Sequence, residues 1–156
     1  MENIRIDRLE SHREIEALIA NYAHAFDNRD MDLFLSIWDD DCTLIAAEPL
    51  RTIHGATALA HLVEQQLWPT WQWSMHIITN CTVKFEDGDA DSARSLSNVC
   101  CIGHNHQGIG QALVGSYRDI FVRRSGIWKL ASREVDMRWG GSAETLLAKI
   151  EAKSEQ

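Results

Sequence analysis

Trp68-Pro69-Thr70-Trp71-Gln72-Trp73-Ser74-Met75-His76 is where this chain changes character. Before it, apolar residues recur at helical spacing; after it they alternate as in strands. Three tryptophans fall within six positions, and a histidine follows at the start of a strand. Tryptophan is costly to leave in water, so rings crowded beside a titratable imidazole point to the wall of an apolar pocket. The plain alternative is a core corner with a satisfied histidine.

Toward the N-terminus, Ile15, Leu18, Ile19, Tyr22 and Phe26 mark one long amphipathic helix over about 7–26, with Asp27 at or just past its end. Asp30 caps a second, short helix over 31–38 that buries Phe34, Ile37 and Trp38. Asp39-Asp40-Asp41 ends it, 42–45 reads as a strand, Pro49 marks a turn, and 51–54 is the hairpin partner. Gly55 opens a third helix over about 57–67, which Trp68-Pro69 stops because the residue before proline disfavours helix.

Toward the C-terminus come four long strands, roughly 74–86, 93–104, 111–124 and 127–139. Asp87-Gly88-Asp89, Gly108-Ile109-Gly110 and Ser125-Gly126 separate them, which is hairpin chemistry. Residues 140–156 form a small, polar tail with a helical patch at Leu146, Leu147 and Ile150. Helices first and a meander after make a single α+β domain over 1–156. Its mostly antiparallel sheet curves round the long N-terminal helix, leaving a cone whose open mouth is a natural small-molecule site.

A length of 156 residues supports a core without staples. The formal charge of −8 argues against nucleic acid or an anionic membrane as partner. No apolar run approaches the roughly 20 residues that span a bilayer. Charges at Glu2, Arg5 and Asp7 stand where a signal peptide needs its apolar segment, so the protein reads as cytoplasmic. Cys42, Cys81, Cys100 and Cys101 include no Cys-x-x-Cys pair and read as reduced, mostly buried thiols.

Strand alternation sorts the candidates for chemistry. Counted from Ser74, one face carries Ser74, His76, Ile78, Asn80 and Thr82, and the other Met75, Ile77, Cys81, Val83 and Phe85. On the next strand Leu96, Asn98, Cys100 and Ile102 share a face; on the last, Arg133 shares one with Ala131, Val135, Met137 and Trp139. A cation among apolar neighbours needs a ligand or a partner, the structural option being Glu134 or Asp136. Asp27 faces the negative end of the helix macrodipole, and a broken local rule without visible gain marks a candidate functional site. The plainer option is that it starts the turn Asp27-Asn28-Arg29-Asp30.

Asp27 at the helix end, Ser36-Ile37-Trp38-Asp39-Asp40, Leu67-Trp68-Pro69 and His76 with Thr79-Asn80 carry a wider likeness. Gly115-Ser116-Tyr117 and Arg123-Arg124-Ser125-Gly126-Ile127-Trp128-Lys129 extend it. With these the chain resembles the SnoaL-like branch of the NTF2-like superfamily, most closely the lindane (hexachlorocyclohexane) dehydrochlorinase and scytalone dehydratase group. The resemblance implies that His76 is a general base removing a proton from carbon, with Asp27 holding the ring's other N–H as in a Ser-His-Asp triad. It places Arg133 in the pocket, and a homotrimer is what it implies for assembly.

Tyr22, Arg133 and Asn98 are then candidates to assist the leaving group, with Trp68, Trp71, Trp73 and Phe26 binding the substrate. The dehydrochlorinase has lysine where this chain has Tyr22, and a Tyr-x-x-x-x-Asp spacing resembles dehydratases of the superfamily. Loss of water from a small apolar cyclic or aromatic substrate, without cofactor, is therefore the leading expectation. Dehydrohalogenation, isomerisation and retro-aldol cleavage use the same first proton transfer. A non-catalytic subunit or ligand-binding module is the rival from another class. His104-Asn105-His106 lacks a carboxylate or cysteine partner, so no metal is expected.

Overall fold

The opening helix is longer than its apolar stripe requires. The computed structural model describes residues 2–46, 52–86, 88–142 and 145, and α1 runs Glu2–Asn28. Ile15, Ile19, Tyr22 and Phe26 bury as one stripe, with Leu18 partly buried beside them. Asp27 lies in the last turn, inside the helix. Arg29 then adopts a left-handed φ of 57°. The backbone N–H of Asp30 donates to Ala25 O at 2.9 Å and that of Arg29 to Phe26 O at 3.2 Å. This paired closure is a Schellman end, and it fixes the direction in which Asp27 leaves the helix.

Asp30 caps α2 (Met31–Ile37), its carboxylate accepting from the Leu33 N–H at 2.9 Å. β1 (Trp38–Ala46) follows at once, so Asp39, Asp40 and Asp41 belong to a strand and not to a helix end. Asp39 is held there by Arg124 Nε at 3.0 Å. β2 (Thr52–His54) pairs antiparallel with β1 in the register Thr43↔His54. Pro49, Arg51 and Asp87 lie outside the described residues, as does the patch at Leu146, Leu147 and Ile150.

Gly55, at φ 84°, leads into α3 (Ala56–Leu62). Helical winding does not stop at Trp68-Pro69 as proline rules suggest. It widens into a π-helical turn over Val63–Leu67 and tightens into a 3₁₀ turn over Trp68–Thr70. Pro69 sits in the first positions of that last turn.

β3 (Trp73–Glu86), β4 (Asp89–His104), β5 (Gly110–Arg124) and β6 (Ile127–Ser142) form the meander. With β1 and β2 they make a curved six-stranded sheet in the order β2-β1-β6-β5-β4-β3. All neighbours are antiparallel except β1 and β6, which pair parallel with Leu44 opposite Arg133. The concave face closes on the α1 stripe, giving an NTF2-like cone.

Irregularities in two strands overturn simple alternation. The β3–β4 register slips between Thr79 and Thr82, with Asn80 at a φ of 52°. Such a bulge shifts which side chains face inward. Ile78 points into the core before it and Val83 and Phe85 after it, whereas Met75 and Ile77 face out. Val83 and Phe85 therefore do not share a face with Met75. A second slip in β6, opposite Ile120 and Phe121, turns Trp128 and Leu130, then Arg133, inward. The four cysteines are free, but only Cys42 and Cys101 are buried; Cys81 is exposed.

Candidate active site

The end of α1 and the start of β3 bring a carboxylate to an imidazole. Asp27 Oδ1 lies 2.7 Å from His76 Nδ1, and its Oδ2 accepts from the His76 backbone N–H, also at 2.7 Å. Ser74, two residues earlier on the same strand face, donates its hydroxyl to Oδ1 at 2.9 Å. Burial alone would raise the Asp27 carboxyl. The hydrogen bonds from the His76 ring and backbone, the imidazole's charge and the Ser74 hydroxyl outweigh burial and hold it below the ordinary carboxylate value. A carboxylate beside Nδ1 selects the tautomer with its proton there, which leaves the Nε2 lone pair for another group. No hydrogen bond among the described residues engages Nε2.

Arg29 secures the corner that faces this pair. Its guanidinium donates to Trp71 O at 2.6 Å and approaches Trp68 O at 3.4 Å. The Trp-rich corner is thus tied to the end of α1 that carries Asp27. Nothing in hydrophobic periodicity marks this role for an exposed arginine in a turn.

His76 lines an open hollow of about 130 Å³. Phe26, Leu67, Trp71, Val99 and Cys101 share its walls, and Tyr22 and Tyr117 lie side by side on them. An engineered apolar cavity of about 150 Å³ holds a benzene ring, so this volume suits one small ring. The Phe26 ring packs edge-on to His76 at 4.8 Å and Tyr22 at 5.9 Å between centroids. Cys101 stands opposite His76 in the β3–β4 register, its thiol pushed up to about 12 chiefly by burial. It is a lining group, not a nucleophile.

Arg133 is fully buried, but its partner is Asp119, and neither Glu134 nor Asp136 reaches it. Nε and Nη2 donate to the two Asp119 oxygens at 2.8 and 2.7 Å, and both side chains are wholly inaccessible. Glu134 and Asp136 pair instead with Arg118 on the outer face. Arg133 is not among the residues lining the hollow. It lies against Tyr22 and Tyr117, 4.0 and 4.1 Å from their ring centroids. Its Nη1 is buried without a hydrogen-bond partner. Burial raises both tyrosine hydroxyls above the ordinary phenol value, with Arg133 opposing it.

Other expected site residues lie elsewhere. Asn98 is exposed on the outer face, because the inward phase of β4 goes to Ser95, Ser97, Val99 and Cys101. Trp73 is 44 % exposed on the face opposite His76 and packs on the His104 ring at 5.1 Å. Trp68 stands behind Phe26 and does not line the hollow. Of the three tryptophans of the corner, Trp71 alone lines it.

A concave sheet closed on one long helix, with an imidazole–carboxylate pair in an apolar hollow, defines a domain of the NTF2-like class. The chain belongs to the SnoaL-like family, whose domain matches residues 7–134. It is 30 % identical over 127 residues to hexachlorocyclohexane dehydrochlorinase 1 of Sphingobium indicum, covering 81 % of this chain and 80 % of that one. The solved type 3 hexachlorocyclohexane dehydrochlorinase of Novosphingobium barchaimii superposes with a TM-score of 0.81 at 27 % identity, over 88 % of this chain and 93 % of that one. A scytalone dehydratase-like structure from Novosphingobium aromaticivorans shares the fold, at a TM-score of 0.78 and 21 % identity, over 88 % and 90 %.

Proposed function

We propose that the protein is a lyase that eliminates water from a small, largely apolar cyclic substrate without a cofactor. The observation that carries this reading is the 2.7 Å contact of Asp27 with His76 Nδ1 inside an apolar hollow. His76 Nε2 takes a proton from carbon, and Asp27 orients the ring and stabilises the imidazolium, an arrangement that supplies roughly 10²–10⁴-fold from the base. Tyr22, which lines the same hollow, donates to a substrate oxygen. The same first step serves an isomerisation or a retro-aldol cleavage.

Water is favoured over halide as the leaving group because Asp119 already neutralises the buried cation, Arg133. The 30 % identity to a dehydrochlorinase supports the second reading, loss of halide from the same dyad. Turnover of hydroxylated and halogenated cyclic compounds by wild-type protein and His76→Ala, followed by ultraviolet absorbance and a halide electrode, separates the two. Retention of most activity in His76→Ala would falsify both.

Four free thiols support a cytoplasmic location. No helix among the described residues is long and apolar enough to cross a membrane. The outer sheet face presents Met75, Ile77, Leu96 and Ile120 at 40 % exposure or more. Such a face supports self-association, as the trimer that the family resemblance implies, and light scattering of the purified protein measures it.

A further inference from the structure

Of the three donors on the Asp27 carboxylate, only one belongs to neither the ring nor the backbone of His76. The Ser74 hydroxyl lies 2.9 Å from Oδ1, and the His76 backbone nitrogen lies 2.7 Å from Oδ2. Both come from the start of β3, so a single strand grips each oxygen separately. Oδ1 is also the oxygen that meets the ring, 2.7 Å from Nδ1. The atom that holds the imidazole thus has an anchor of its own.

The sequence makes room for that anchor across the sheet. Ser74 stands opposite Gly103 of β4. A Cβ at Gly103 would collide with the Trp73 carbonyl oxygen, and would come 2.9 Å from the Trp71 ring and 3.0 Å from Ser74 Cα. Glycine therefore lets β3 and the Trp-rich corner lie close on β4 where Ser74 reaches toward α1.

We infer that Ser74 is a positioning residue of the dyad: its hydroxyl fixes Oδ1 of Asp27, and through that oxygen the tautomer of the His76 ring and the direction of Nε2. This rests on the elimination reading and adds a residue to its machinery. Asp27 lies in the last turn of α1, where the negative end of the macrodipole opposes its charge. Burial opposes the charge as well, and the Ser74 hydroxyl joins the His76 ring and backbone in outweighing it. One hydrogen bond fixes a point, whereas bonds to both oxygens fix the plane of the carboxylate. With Ser74 in place, Oδ1 faces Nδ1 independently of the ring. Without it, only the ring orients the group that is meant to orient the ring.

The ¹⁵N shifts of His76, assigned by their loss in His76→Ala, read the tautomer in the full chain with no substrate present. Wild-type protein is expected to hold mainly the Nδ1–H form. Ser74→Ala is expected to lower the ratio of Nδ1–H to Nε2–H about 3- to 10-fold, the part of one charged hydrogen bond that water does not replace. The Asp27 carboxyl, followed by ¹³C, should then titrate closer to its ordinary value. Ser74→Thr, which keeps the hydroxyl, should restore the wild-type ratio. In an Asp27→Asn background Ser74→Ala should change the ring no further, because the serine acts through the carboxylate. An unchanged ratio in Ser74→Ala, an equal fall in Ser74→Thr, or a further change beside Asp27→Asn overturns the inference. Should Ser74→Ala not fold, Ser74→Cys decides, since its thiol is a weaker donor: a lowered ratio supports the anchor and an unchanged one refutes it. No turnover enters this measurement, so its result is separate from whether His76 takes a proton from carbon.

Discussion

Replacing Asp27 with asparagine keeps the shape of the side chain and changes what it can accept. The carboxylate receives three hydrogen bonds, from the His76 ring at 2.7 Å, the His76 backbone at 2.7 Å and Ser74 at 2.9 Å. An amide has one acceptor oxygen and one donor nitrogen. If its oxygen keeps the backbone N–H, its NH₂ faces Nδ1 and makes that nitrogen the acceptor. The ring proton then moves to Nε2, and the atom meant to take a proton from carbon already has one. The corresponding change in a Ser-His-Asp triad lowers kcat by about 10⁴, or roughly 5.5 kcal/mol of barrier. Folding loses at least one hydrogen bond to a charged acceptor, about 1.5–3 kcal/mol, and each kcal/mol lowers Tm by roughly 2–4 °C in a chain of this size. Steady-state kinetics on a substrate that the wild type turns over, with ¹⁵N shifts of the His76 ring, measure both effects. Turnover within tenfold of wild type, or an unchanged ring tautomer, refutes the reasoning.

Other outcomes follow from the same geometry. Because the Asp27 carboxyl is held below its ordinary value of 3.8, its stabilising contribution is complete above that pH and disappears as pH falls through the lowered folded value. The stability gap between wild type and Asp27→Asn, read by urea unfolding, should therefore close on acidification below about pH 3.8. Arg133→Met and Asp119→Leu should each cost about 3–5 kcal/mol by leaving a buried charge unpaired, and the double change should cost less than their sum. Native thiol labelling should proceed at Cys81 and spare Cys42 and Cys101, whose thiols burial raises to about 11 and about 12. Asn98→Ala should leave kcat/KM within twofold or so, since its side chain is on the far side of the sheet from His76.

The helices were legible because they rest on short-range rules, and the pairing of Asp27 with His76 because the resemblance implied it. A single stripe defines α1, an aspartate caps α2, and the resemblance named two residues whose meeting the fold then makes geometric. The strands were legible in extent but not in phase. One added residue at Asn80 reverses the inward set of β3, and no hydrophobic pattern announces a bulge whose residue is itself exposed. In β4 the pattern is inverted: Ser95 and Ser97 are buried while Leu96 is 48 % exposed. Ser95 faces inward because its hydroxyl meets Asp119, and Leu96 belongs to the apolar outer face. Asn98 shares that outer face with Leu96, so a candidate named by resemblance stands away from His76. The partner of Arg133 was also hidden, since Asp119 is fourteen residues away and meets it only through the β5–β6 register.

The parallel seam between β1 and β6 carries a consequence for synthesis. Leu44 and Ala46 of β1 stand opposite Arg133 and Val135 of β6, near the opposite end of the chain. A nascent polypeptide emerging from the ribosome can form the first helix and the β3–β5 hairpins early. It cannot close the chamber until the final strand is free, because long-range pairing waits on its last participant. Until then the buried arginine lacks its enclosure and the aromatic lining stays open to water. Premature termination within β6 would therefore leave a chain with most of its secondary structure, no binding chamber and a strong tendency to aggregate.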